Sequence, residues 1–359
     1  MINNKYVVIM AGGRGERFWP KSRLKKPKHL ISIVGKESML TQTLNRLERI
    51  VPYENIFIIT NKEQHQAVIE NCPKLSEDQI IAEPIGRDTA AAVGLAKVLV
   101  KQRDPNAVFA ILPADHVIND VENLKKCLDF AFDSAIANDV LVTLGIPPSF
   151  PSTAYGYIKK GVSHDNGYYV VNEFVEKPNL ETAKIYLESG DYYWNAGMFV
   201  WSVPSIEKAL TFHCPDLSEK LFTLEKQLLA KECLVSCLDV LYPQLPKISI
   251  DYALLEKAKN VVTISSTFDW DDVGEWPAVA RHNTVDSNNN VACGESVLYQ
   301  STNNIVVNEE GHLTALVGVD NLIVVQTKDV TLICSKDRSQ DIKQLLNQIR
   351  ESAKHQHLL

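Results

Sequence analysis

Lys5–Pro20 reads KYVVIMAGGRGERFWP. Its first half is apolar and rich in β-branched residues, which predicts a strand buried on both faces. Glycines follow at once, at Gly12, Gly13 and Gly15. A glycine-rich turn after such a strand lets backbone N–H groups approach a phosphate. The two common versions do not fit. A dinucleotide fingerprint, G-x-G-x-x-G set on Gly13 and Gly15, needs a third glycine where this chain has Phe18. A Walker A loop ends in Gly-Lys-Ser/Thr, which is missing here. Arg17 instead brings a planar fork of donors suited to phosphate oxygens. Lys28, after Pro27, is a candidate second cation for the same anion. The competing reading is a glycine-rich turn with surface arginines.

Working outward, apolar runs at NIFIIT, DQIIAEP, AVFAILPADH and VLVTLGI alternate with helical spacing at 39–50, 63–71, 88–102 and 121–138. Strands alternating with helices predict an α/β fold: a Rossmann-like mixed, mostly parallel sheet with helices on both faces. Ligands of such sheets sit at the carboxyl ends of the strands. The opening loop, AEPIGRDTAAA and LPADH all fall at such ends. Beyond Ile146, AYGYIKKG and YYVVNEFVEKP read as antiparallel strands, 180–189 as a helix and WNAGMFVWS as a strand. Helices follow to Leu229, and ISIDYALLEKA opens another. From Asp286 the texture changes to short β-rich runs separated by Asn, Gly and Asp, with a closing helix over 339–352. Two domains are expected, 1–284 and a small all-β, β-helix-like unit at 290–359. These β segments show no fixed period.

The formal net charge is −7, against a nucleic-acid-binding role. Arg14–Lys28 departs from the average, with seven Lys or Arg and one Glu, and marks a local polyanion site. The seven cysteines are scattered and read as reduced thiols. No secretory signal pattern and no membrane-length apolar run is present, so a cytoplasmic protein is expected.

Other motifs carry chemistry. Asp115, just past a strand in LPADH, suits a hard cation or caps the next helix. FDWDDVGEW supplies Asp269, Asp271 and Asp272, carboxylates that repel one another unless a cation or hydrogen bonds relieve them. Glu176 and Lys177 in FVEKP suit hydroxyls and a phosphate, respectively. Asn195, beside Gly197 in WNAGMF, offers both donors and acceptors to a polyol. His29 and His116 read as ordinary polar residues rather than ligands.

Taken together, AGGRGERFWPKSRLKKPKHL, EPIGRDTAAA, LPADH, YGYI, FVEKP, WNAGMF, SIDYALLEK and DWDDVGEW occur in this order. In this the chain resembles the mannose-1-phosphate guanylyltransferases of the sugar nucleotidyltransferase group, over nearly its whole length. The resemblance implies a glycosyltransferase-A-like nucleotidyltransferase domain using Mg²⁺, with GTP and mannose 1-phosphate as partners. It implies that Gly12, Gly13, Arg14 and Gly15 wrap the nucleotide phosphates, and that Arg17 and Lys28 neutralise the α-phosphate and the departing pyrophosphate. Asp115 and Asp272 match metal ligands, and Lys177 matches the lysine that meets the sugar phosphate. Gly156, Glu176 and Asn195 match positions facing sugar hydroxyls. Glu83, Asp88 and Thr89 fall in the base-recognition segment, without assigning which residue reads guanine. Asp88 departs from the family's usual Asn, which puts base preference or the orientation of this loop in question, since a carboxylate only accepts. Some relatives carry a C-terminal cupin-type isomerase domain; this chain ends too soon after the β unit to hold one, so no isomerase activity is expected. Other readings are a relative with a different base or sugar, a catalytically silent relative, and a nucleic-acid binder resting on the basic stretch alone. The presence of Arg17, Lys28, Asp115, Lys177 and Asp272 together favours catalysis. No nucleic acid or membrane partner is expected, and an exposed β unit is compatible with a homodimer.

Overall fold

The computed structural model describes residues 4–164 and 167–359. Nine strands form the main sheet: β1 (Lys5–Ala11), β2 (Ile56–Asn61), β3 (Ile80–Glu83), β4 (Val108–Pro113), β5 (Leu141–Ile146), β6 (Tyr157–Ser163), β7 (Tyr169–Val175), β8 (Tyr192–Ser202) and β9 (Val261–Ser265). Their order is β3-β2-β1-β4-β8-β5-β9-β7-β6, and β6 also pairs with β8. In β1, Val7, Val8 and Ile9 are fully buried, as a strand covered on both faces requires.

One face is covered by α1 (Met39–Leu47), α2 (His65–Asn71), α4 (Val121–Ala137) and α5 (Leu180–Ser189), whose buried residues share a core with Val7 and Ile9. The other is covered by α3 (Asp88–Arg103), α6 (Val203–His213), α7 (Pro215–Leu229) and α8 (Leu234–Leu241). Helix α3 is buried without a break from Ala90 to Val100, because it lies between the sheet and α6 and α7. The two helical layers leave the carboxyl ends of β1 and β4 open at one rim.

The sheet is mixed rather than mostly parallel. Pairs β1–β2, β2–β3, β1–β4 and β5–β9 are parallel. Pairs β4–β8, β5–β8, β6–β7, β6–β8 and β7–β9 are antiparallel. Alternation along the chain reads connection, not neighbourhood: β4 and β5 are joined through α4, yet β8 inserts between them and opposes both. One further reading is corrected: the helix expected from ISIDYALLEKA is one wide turn, Asp251–Leu255. The run VVTIS, to which no element was assigned, is strand β9.

The C-terminal unit does contain a repeat. Strands β10 (Val291–Cys293), β12 (Ile305–Asn308) and β14 (Leu322–Gln326) stack in parallel, as do β11 (Ser296–Tyr299) and β13 (Thr314–Val317). Strand β15 (Thr331–Ser335) closes the stack antiparallel to β14. Val291 aligns with Ile305 and Ile305 with Ile323, so the coils have unequal lengths and no fixed period. What repeats is asparagine. Asn304 Nδ2 donates to Asn290 Oδ1 (3.1 Å), and Asn304 Oδ1 accepts from Leu322 N (2.9 Å). Asn289, Asn303 and Asn321 sit at successive left-handed corners and are linked by amide hydrogen bonds. Helix α9 (Ile342–Glu351) completes the chain's regular structure. The β coils share one core with Phe18, Trp19, Met39 and Trp276.

Candidate active site

The chain leaves β1 at Ala11 and turns at Gly15, which is left-handed at φ 62°. Gly15 O accepts from Phe18 N (2.9 Å) and Ser22 Oγ (2.7 Å), fixing a short 3-10 turn. That turn drives Phe18 into the core, edge-on to Trp276 at 5.0 Å. Arg17 is left facing a cavity of about 340 Å³ together with Arg14, Gly15, Lys28, Asp115, His116, Asp272 and Lys343. Its Nε is buried and has no hydrogen-bond partner among the described residues.

Lys28 is the pivot of this cavity. Its ammonium donates to Asp272 O (2.6 Å) and pairs with Asp115 Oδ2 (2.9 Å). A third of the Asp115 side chain still reaches the cavity, at 33% exposure. Loss of solvent raises the Asp115 pKa, but Lys28, His116 and His29 outweigh that and hold it at about 2. His116 is pushed down to about 4, chiefly by burial, so it is neutral at pH 7. Its Nδ1 accepts from Trp270 Nε1 (3.0 Å), an ordinary polar role as the sequence indicated.

The three aspartates of FDWDDVGEW separate by function. Asp269 accepts from Asn119 N, Asn119 Nδ2 and Asp120 N. Asp271 is clamped by Arg281 (2.6 Å) and His282 (2.7 Å), and accepts from Val273 N (2.8 Å). Burial opposes its ionisation, yet these bonds drive its pKa well below the carboxylate range. Asp272 faces the cavity, where Oδ1 accepts from Tyr155 OH (2.7 Å). Val273 beside it is left-handed at φ 43°, an unfavourable conformation for a β-branched residue, and is held there by the Asp271 bond.

A second cavity of about 360 Å³ adjoins the first and shares His116 and Asp272 with it. Thr89, Gly156, Glu176, Lys177 and Asn195 line it, with Tyr155, Asp251 and Trp270. Asn195 Nδ2 donates to Asp251 Oδ1 (2.9 Å), and Asn195 Oδ1 accepts from Gly197 N (3.0 Å). Lys177 ion-pairs with Glu176 and is left-handed at φ 36°. Thr89 Oγ1 accepts from Ile250 N (2.8 Å).

Four predicted site residues line neither cavity: Gly12, Gly13, Glu83 and Asp88. Glu83 lies behind Gly12 and accepts a hydrogen bond from Tyr242 OH. Burial pushes its pKa up to about 7, despite the lowering effect of that bond. Asp88 is left-handed at φ 64°, a conformation Asn and Asp share most readily, so this departure from the family's Asn keeps the backbone geometry. Sequence reasoning missed Tyr155, Asp251 and Lys343. Tyr155 and Asp251 lay in the quoted YGYI and SIDYALLEK; Lys343 lies in the C-terminal stretch SKDRSQDIKQL, which shares the resemblance but assigned it no role.

Three carboxylates line the first cavity; Glu16 is paired with Arg350, which leaves Asp115 and Asp272 as donors, and no group of three metal-ligating side chains occurs among the described residues. This fits a hard cation that takes its remaining ligands from phosphate and water. The basic stretch divides: Arg14, Arg17 and Lys28 face this cavity, while Lys21, Arg23, Lys25 and Lys26 line a separate crevice with Glu309 and Asp329.

Comparison with known proteins identifies the family. Residues 6–289 match the nucleotidyl transferase family, and 294–349 match the MannoseP isomerase/GMP-like beta-helix domain. The mannose-1-phosphate guanylyltransferase of Salmonella montevideo is 39% identical, covering 98% of this chain and 75% of the relative. That of Escherichia coli K12 is 36% identical over the same shares. A solved structure described as a mannose-1-phosphate geranyltransferase from Thermus thermophilus superposes with a TM-score of 0.85 at 34% identity, covering 97% of this chain and 99% of that one. A nucleotidyl transferase match over most of the chain, joined to these near full-length identities, places the protein in the mannose-1-phosphate guanylyltransferase family.

Proposed function

We propose that the protein joins GTP and α-D-mannose 1-phosphate into GDP-mannose and releases pyrophosphate. The observation that carries this reading is the pair of adjoining cavities, one cationic and one lined by amide, carboxylate and aromatic groups, meeting at Asp272 and His116. A phosphate oxygen of the sugar phosphate attacks the α-phosphorus of GTP in line. The bond from the α-phosphorus to the bridging oxygen breaks, and that oxygen leaves with the electron pair as pyrophosphate. The second pKa of such a phosphate is about 6, so the nucleophile is already ionised near pH 7 and needs no general base. The task is to bring two polyanions together by positioning and charge neutralisation.

Arg14, Arg17 and Lys28 bind the triphosphate. Lys177 holds the sugar phosphate, with Glu176, Asn195 and the Gly156 backbone on the hydroxyls. Asp115 and Asp272 would hold Mg²⁺, which when bound supplies further neutralisation of phosphate charge. Glu83, Asp88 and Thr89 are assigned to the nucleoside side. Within this reading, 1–284 is the catalytic domain and 290–359 the β unit, and the protein works in the cytoplasm; all seven cysteines are free thiols. No described helix is long and apolar enough to cross a membrane. The exposed Val297, Tyr299 and Val317 of β11 and β13 support a homodimer, testable by sedimentation equilibrium, where a monomer at micromolar concentration would exclude it.

Pyrophosphate release from five nucleoside triphosphates, each with mannose 1-phosphate and Mg²⁺, tests the central assignment. GTP is expected to be strongly preferred; a preference for another base would overturn it.

A further inference from the structure

Lys343 belongs to the first turn of α9, in the β-coil unit, yet it lines the phosphate cavity with Arg14, Arg17 and Lys28. Among the described residues its ammonium makes no hydrogen bond or ion pair, and neither does the Arg17 guanidinium. Arg17 is near enough to make protonation of Lys343 harder, an effect second only to desolvation, and Lys177 adds to it; Glu16 opposes them. Cations are thus crowded around one concavity without enough carboxylates to balance them.

The crowding is held in place. Glu16 pairs with Arg350 of α9, and Trp19 Nε1 donates to Leu358 O (2.8 Å). Ser339 Oγ and Gln340 Nε2, just before α9, donate to Glu275 Oε2 at 2.7 and 2.6 Å. Ile342 and Leu346, on the core-facing side of the helix, are buried with Phe18 and Trp19. The helix is fastened at both ends to the two segments that carry Arg17 and Asp272. A flexible surface lysine would swing away from Arg17; the backbone of this one is fixed beside it.

We propose that Lys343 is a phosphate-binding residue of the reaction, supplied by the C-terminal unit and directed at the pyrophosphate end of the triphosphate. Lys343 lines the cavity of Arg14, Arg17 and Lys28, and not the one lined by Gly156, Glu176 and Asn195. A di- or triphosphate is the ligand class that relieves the repulsion among these cations, and the C-terminal unit thereby takes part in catalysis. This rests on the reading that the two cavities bind GTP and the sugar phosphate.

The test compares Lys343→Ala and Lys343→Arg with the wild type in both reaction directions. Lys343→Ala is expected to raise KM for pyrophosphate in the reverse reaction, and for GTP in the forward one, by about ten-fold, the scale of one charge-assisted hydrogen bond. KM for mannose 1-phosphate stays within about two-fold, and Lys343→Arg restores most of the loss. Lys343 is exposed, so a thermal midpoint near that of the wild type is expected for both variants. Unchanged pyrophosphate and GTP constants in Lys343→Ala, or an equal rise for the sugar phosphate, would overturn the assignment. Wild type without activity on GTP and mannose 1-phosphate would instead sink the functional reading. In that case calorimetric titration with inorganic pyrophosphate still decides Lys343: weaker binding by Lys343→Ala supports it, and equal binding removes it.

Discussion

Gly15→Ala tests the opening loop most directly. The residue is left-handed at φ 62°, and a Cβ built there lies 2.3 Å from Lys28 Cβ and 2.9 Å from Lys28 N. The left-handed conformation costs a non-glycine residue roughly 1–2 kcal/mol. Displacing a packed neighbour adds roughly 1–3 kcal/mol. The neighbour here is the backbone and first carbon of Lys28, which cannot rotate away as a flexible side-chain tip would. Stability should fall by about 2–5 kcal/mol in all. Lys28 must shift, and with it the ammonium that reaches Asp115 at 2.9 Å and Asp272 O at 2.6 Å. A displacement of about 1 Å at such a group can lower the rate by roughly a hundred-fold. The assay is urea unfolding paired with initial rates against GTP. Gly13→Ala is the stability control, because a Cβ there meets nothing within 4 Å, and its unfolding free energy should stay within about 0.5 kcal/mol of wild type. If Gly15→Ala matched the wild type in both unfolding midpoint and GTP kinetics, the close approach of Lys28 to this turn would be wrong.

Asp272→Asn should abolish most turnover and keep the fold, since the lost charge faces the cavity; wild-type rates at limiting Mg²⁺ would refute the metal role. Lys177→Ala should raise KM for mannose 1-phosphate by about ten-fold with little change for GTP, and unchanged sugar kinetics would count against it. Burial raises the Glu83 pKa from 4.5 to about 7, so the folded state favours the protonated acid. Its contribution to stability is therefore present at low pH and lost as pH rises from 4.5 to about 7. Glu83→Gln should flatten that slope by an amount on the order of 3 kcal/mol, measured by urea unfolding across the pH range. Identical slopes in variant and wild type would place the titration elsewhere.

Much of the site was legible because its residues sit at strand ends, where residue type and position together are informative. Gly15, Arg17 and Asp115 follow the ends of β1 and β4, Lys28 and Asp272 were matched through the family resemblance, and all five line one cavity. The sheet was less legible, because helix–strand alternation reports which segments follow one another and not which pair. Strand β8 lies between β4 and β5 through pairing that no local pattern encodes. The coil repeat was hidden by unequal coil lengths, although the asparagines at 289–290, 303–304 and 321 marked its corners. Lys343 was invisible for a plainer reason. A lysine in an amphipathic helix reads as a solvated charge, and only tertiary packing turns it toward the phosphate cavity.

That packing follows from what the reaction demands. A site for two polyanions gains from cations that no nearby carboxylate neutralises, such as Arg17 and Lys343, beside paired ones such as Lys28, which is held by Asp115. Unpaired cations repel one another, and a glycine-rich turn has little stiffness to resist that repulsion. Here the stiffness comes from both sides of the turn. Phe18 and Trp19, immediately after Arg17, are buried in one core with Trp276, the β-coil residues Ile305 and Ile323, and Leu346 of α9. On the other flank, Asp271 holds Val273 in a strained conformation beside Asp272 through its bonds to Val273, Arg281 and His282. The loop that carries the cations and the segment that carries the carboxylate are both braced against the same core. The β unit therefore sets the shape of the phosphate cavity through Phe18 and Trp19, before any contribution from Lys343 itself.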